Sequence, residues 1–171
     1  IDYYTQFFYE ILNYSKEQAS KTMSNFSYLR PLCAILAGII ADKYSASKSS
    51  TSLFFFLSLS YLFISIFIKN INLQSLIILN IFITMISVFS LRGIYFCFLK
   101  ETNLPIGLTG IAVGVISLIG YFPDVYIGPL FGMYLDNTES NDAFKKCFLT
   151  LSLISFCGLI STLYITKKIN K

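Results

Sequence analysis

Three side chains sit where charge is expensive. Arg30, Arg92 and Asp124 each fall inside an apolar run long enough to cross a bilayer. An ionised group at that depth is costly and by default serves a function. Arginine keeps its charge and presents a planar fork that suits a carboxylate or a phosphate. The two arginines therefore read as attractors of an anionic solute, with Asp124 pairing to one of them when the site is empty. Two other readings stand beside this one: a static Arg–Asp pair that only locks helices, or an Asp124 that couples transport to a proton. Tyr28 and Tyr121, with Tyr3 and Tyr4, offer hydroxyls and ring faces to such a site, although interfacial anchoring or packing uses tyrosines equally well.

The composition says what must hold these residues. Of 171 residues 55% are hydrophobic and only 13% charged, about half the charged share of a soluble chain. A mean hydropathy of +0.67 and repeated apolar runs near membrane-crossing length specify an all-α integral membrane protein. The runs do not alternate with period two, which argues against a barrel. The net charge of +4 comes from lysines placed singly or in pairs beside apolar spans, so no nucleic-acid partner is expected. Cys33, Cys97, Cys147 and Cys157 have no ligand-like spacing and there is no histidine. They read as small core hydrophobes, and no metal or cofactor is expected.

The pattern divides into five full transmembrane helices plus a helix stub. The stub is 1–12, followed by an extracytoplasmic loop at 13–21. Spans are expected at 22–41, 51–68, 73–99, 108–136 and 143–166. Cytoplasmic loops fall at 42–50 and 100–107, and the tail at 167–171 is cytoplasmic. The chain opens at Ile1 inside what reads as a helix already under way, so a piece of a longer chain is expected. Lysines favour this orientation by six (43, 48, 100, 167, 168, 171) to five (16, 21, 69, 145, 146). The 108–136 span is about 42 Å of helix. With Gly107 it holds six of the nine glycines and two of the four prolines. Gly110/Gly114 and Gly128/Gly132 read as close-packing pairs, and Gly120, Pro123 and Pro129 as a hinge.

A repeat is visible at an offset of 94 residues, since Gly38 falls on Gly132, Asp42 on Asp136 and Arg30 on Asp124. The offset spans three crossings, so the two copies run in opposite directions, the inverted 3+3 construction of many secondary transporters.

Here the residues resemble the C-terminal half of a major facilitator superfamily (MFS) permease. GIIADKYSASK (38–48) is similar to that family's cytoplasmic G-x-x-x-D-[RK]-x-G-[RK]-[RK] loop. Gly38, Asp42 and Lys43 match, while the later glycine is Ser45 and the basic pair is reduced to Lys48. LRGIYF (91–96) is similar to the arginine-glycine step on helix ten, and GYFPDVYIGPLFGMYLD (120–136) resembles helix eleven. The resemblance implies that the stub ends helix seven and that a six-helix N-terminal half is missing. It also implies a gating role for Gly38, Asp42 and Lys43. The substrate site would lie at mid-depth, lined by helices seven, eight, ten and eleven. Asp42 would cap a neighbouring helix N-terminus near Thr109 or Gly110, or stay solvated in its loop.

The function expected is secondary active transport of a small solute, of the organic-anion class, in a bacterial cytoplasmic (inner) membrane. The coupling species would be a proton. A membrane enzyme is the weaker class: there is no paired-aspartate motif and no Ser/Lys dyad, and Lys100 and Glu101 adjoin a loop without a partner. A small scaffold or channel subunit acting as a homodimer is the remaining alternative.

Overall fold

The computed structural model describes residues 2–70, 73–101 and 105–169. The side chains of Asp2, Tyr95, Lys100, Ile106, Asp124 and Ile169 lie outside that description. The described residues are helical, with no strand among them: α1 (Asp2–Glu10), α2 (Lys16–Ser27), α3 (Leu29–Tyr44), α4 (Ala46–Phe67) and α5 (Gln74–Ile94). A 3-10 turn (Tyr95–Cys97) leads to α6 (Phe98–Glu101), then α7 (Ile106–Asn137) and α8 (Ser140–Ile169). Five stretches are long and apolar enough to cross a membrane: Lys16–Tyr44, Ala46–Phe67, Gln74–Ile94, Gly107–Asn137 and Ser140–Lys168.

Local chemistry sets the boundaries. The stretch expected as a polar loop at 13–21 is helical from Lys16. Ser15 accepts from the Gln18 N–H while the Gln18 side chain accepts from the Ser15 N–H, a reciprocal cap. Pro31 lacks the N–H that would bond the Ser27 carbonyl, and the helix breaks one residue later, at Tyr28. The connection expected at 42–50 reduces to Ser45, whose φ of 92° turns the chain. Its side chain then accepts from the Lys48 N–H to start α4.

α4 and α8 run antiparallel. Ser65 Oγ donates to the Lys145 carbonyl at 3.1 Å and Ser152 Oγ to the Ser58 carbonyl at 3.0 Å. These bonds fix α4 against α8 at two heights, a common use of serine between membrane helices. α3 lies on α5 through Cys33, Ala37 and Ala41, one small residue per turn. At Gly93 an added Cβ would stand 2.8 Å from the Ala34 Cα and carbonyl oxygen. Glycine is required there because the two backbones touch. Gly158 makes the equivalent approach to the Phe54 ring, whose edge would lie 2.6 Å from an added Cβ.

Burial is concentrated toward the end of the bundle that carries Asn13 and Lys69. There α1 wedges between α5 and α8. Phe7 meets Phe144 and Phe148 edge to face at 5.3 and 5.2 Å, a geometry worth about 0.5–1.5 kcal/mol per pair. Tyr4 hydrogen-bonds Thr84 at 2.9 Å, and Gln74 Nε2 donates to the Leu12 carbonyl at 2.9 Å. A smaller cluster of Ala37, Ala41, Ala46 and Ile94 closes the opposite end between α3, α4 and α5.

The glycine pairs do not pack as expected within this chain. An added Cβ at Gly38, Gly110, Gly114, Gly120, Gly128 or Gly132 would meet nothing within 4 Å. The reason is that α7 leans mainly on α8, leaving most of its surface exposed. α7 also runs as one helix through Pro123 and Pro129. Those prolines leave the Ile119 and Val125 carbonyls, four residues back, without helical donors.

Candidate binding cavity

Beyond α1, toward the end that carries Ser45 and Lys168, the four helices that enclose it leave a cavity of about 1100 Å³. α4 contributes Phe54, α5 contributes Leu91 and Arg92, and the turn after it contributes Phe96 and Phe98. α7 presents Ile116, Ile119, Gly120 and Tyr121, while α8 presents Thr162, Ile165 and Lys168. Glu101 lies at the rim.

Contacts set the depth of each group. Tyr4 meets both Thr84 and Phe148, and Phe148 meets Tyr61, so these four share one level. Arg92 lies eight residues along α5 from Thr84 and Phe54 seven back along α4 from Tyr61, which brings both to one level roughly 11 Å closer to the Ser45 end, with Arg92 in the last turn of α5. Lys168 lies two residues past Thr166, whose hydroxyl meets that of Thr51 at 3.4 Å, three residues from Phe54, so it stands about 7 Å of helix beyond the level of Phe54. The cavity therefore has a cation in the last turn of α5 and another near the end of α8, beside apolar lining residues.

The expectation that Glu101 has no partner is corrected by the structure. Its carboxylate accepts from the Ala46 N–H, and from the Ser47 N–H at 3.3 and 3.4 Å. The first N–H groups of a helix lack internal acceptors and carry positive charge, so a carboxylate there is well placed. The bond ties α6 to the start of α4 and holds the rim together. Among the described residues no carboxylate lies within 4 Å of Arg92 or Lys168.

Of the residues singled out in the sequence, Arg92, Gly120 and Tyr121 meet at this cavity. Arg30 does not: its guanidinium lies over the Phe89 ring at 5.2 Å, on the α3–α5 seam. Tyr28 is 75% exposed at the α2–α3 break. Asp124 lies on α7, and its side chain, with any pairing to arginine, falls outside the described residues. Asp42 and Lys43 are exposed at the end of α3, with the Lys43 ammonium over the Tyr44 ring at 5.3 Å. Tyr3 donates to the Gly128 carbonyl at 2.8 Å. Cys33 and Cys147 are buried, Cys97 partly so and Cys157 exposed. Sequence reasoning does not single out Lys168, Glu101 or Thr162 for this site. The two charges sit at span ends, where charge is ordinary, and only the α4–α8 pairing brings them to Arg92.

The chain is similar to the inner membrane protein YqcE of Escherichia coli (strain K12), at 31% identity over 149 residues, covering 80% of this chain and 35% of YqcE. It is also similar to the inner membrane protein YihN of the same organism, at 27% identity over 84 residues, covering 49% of this chain and 20% of YihN. The chain thus spans about a third or less of the length of these relatives. No solved structure matches it. These relatives and the five apolar helices identify a membrane protein that sits in a lipid bilayer. The expected membership of the MFS is corrected here: no family profile matches the chain, and its relatives are named only as inner membrane proteins. The helix-seven-to-twelve numbering, the six-helix half and the gating role implied for Gly38, Asp42 and Lys43 lose the support of that resemblance.

Proposed function

We propose that this chain is part of a secondary transporter that moves a small organic anion by alternating access, with the solute bound at Arg92. The observation that carries the reading is the cavity itself. It places a permanently charged guanidinium between membrane helices with no carboxylate against it among the described residues. Such a charge is retained in a membrane when it meets a substrate or a water-filled path. The cavity is lined toward the Lys168 end of the bundle, while α1 and its aromatic packing fill the other end, as in a one-side-open state. The inverted repeat is part of the same reading: α3 and α7 run in opposite directions, since each is antiparallel to a neighbour in the series α3, α4, α8, α7. On this reading the membrane is the bacterial cytoplasmic one, with the C-terminus inside, and Asp124 is the coupling acid. No chemical step is assigned to the protein.

The test is uptake of labelled organic anions into proteoliposomes containing the natural full-length protein. Arg92→Gln is expected to lower uptake at least tenfold, whereas Arg30→Gln, away from the cavity, retains more than half. Uptake unaffected by Arg92→Gln would remove the cavity from the transport path.

A further inference from the structure

The cavity has two cationic poles, and a ligand with one anionic group can answer only one of them. Arg92 lies near the level of Phe54, and Lys168 lies about 7 Å of helix beyond that level, two residues past the Thr166 that meets Thr51. The apolar lining is Phe54, Phe96, Phe98 and Ile165, with Ile116 and Ile119 from α7. Glu101 is the acidic group at this rim among the described residues. Its carboxylate is held by the Ala46 and Ser47 N–H groups, so its charge is set against the start of α4. A polar molecule of compact shape placed at Arg92 would leave Lys168 unmatched and would press no surface against the phenylalanines. A simple fatty anion would use the wall but again only one cation.

We propose that the cavity takes an elongated dianion, an anionic oxygen group at each end of an apolar spacer, one end on Arg92 and the other on Lys168. This rests on reading the cavity as the solute site, and it narrows the solute class. Matching charge at both ends makes the preference one of length as well as charge. A spacer too short cannot reach both cations, and one too long must buckle or leave an end in water. Methylene groups against the wall add to affinity at about fourfold each, from ~0.8 kcal/mol per buried CH₂.

The experiment is calorimetric titration of the full-length protein in nanodiscs with α,ω-dicarboxylates of increasing length, each paired with the monocarboxylate of equal carbon number. Dicarboxylate affinity should pass through a maximum and there exceed the monocarboxylate at least tenfold. Lys168→Gln, at an exposed helix end where folding is not at stake, should erase that excess and leave monocarboxylate affinity within twofold. α,ω-Alkyl bisphosphonates run alongside distinguish carboxylate from phosphonate ends and should show the same maximum in length. Equal affinity for mono- and dicarboxylates at every length would overturn the two-ended ligand while sparing the solute site. So would a dicarboxylate preference that survives Lys168→Gln. Absence of binding by every anion in both series would overturn both.

Discussion

Arg30 and Arg92 look alike in sequence, each a charge inside an apolar span, yet their surroundings separate them. Arg30 lies on the face of the buried Phe89 ring, a cation–π contact worth roughly 0.5–1 kcal/mol where solvent reaches it. Arg92 has no such ring among the described contacts and lines a cavity. Arg30→Gln is therefore expected to lower thermal stability slightly and leave transport largely intact, and Arg92→Gln to do the reverse. Measuring both quantities on both variants distinguishes packing from solute binding. The arginines were legible because charge within a span is rare. Which of them faces a cavity was not, because that depends on α3 seating against α5 through Ala34 and Gly93. Lys168 was illegible for the opposite reason: a lysine at the end of a span carries no cost to draw notice.

Between helices, glycine content alone misdirects. The glycine-rich α7 drew the expectation of close packing, yet the two close approaches fall at Gly93 and Gly158, isolated in their helices. A Cβ at position 93 meets backbone, which cannot rotate away, so Gly93→Ala is expected to split α3 from α5 and cost on the order of 2 kcal/mol or more. Gly114→Ala meets nothing and gains helix propensity, up to about 1 kcal/mol. Thermal unfolding of this chain in detergent should rank Gly93→Ala below the parent and Gly114→Ala level with it or above. Helix existence was read from apolar length, but boundaries were not: the Ser15–Gln18 cap and the Ser45 turn are single-residue features within polar stretches. The turn after α4 has its own device, the Lys69–Asp142 ion pair at 2.9 Å. Its hydrogen bond and then the charge of Asp142 raise the Lys69 pKa above the usual 10.5. A raised lysine pKa stabilises the fold below the unfolded value and loses that contribution as pH climbs through the folded one. Stability should therefore fall at strongly alkaline pH, by a small amount because the pair is exposed, and Lys69→Met should remove that component of the pH profile.

At the scale of the molecule, packing is uneven along the bundle axis, and this asymmetry is what makes transport the natural reading. One end is filled by α1 and its phenylalanines, while the other holds a cavity running from Arg92 to Lys168. A bundle built only for stability would fill both ends, since a void forfeits dispersion contacts that membrane helices depend on. The asymmetry predicts one-sided access. With the four native cysteines replaced by serine or alanine, a cysteine at Ile165 in the cavity wall should react with a membrane-impermeant thiol reagent from the Lys168 side of sealed vesicles and not from the other. A saturating transported anion should slow that reaction, either by covering the site or by turning the cavity to the opposite face. Reaction at Ile165→Cys from both sides, or at a rate indifferent to any transported anion, would mean that the cavity is a lipid-facing groove, and the transport reading would fall with it.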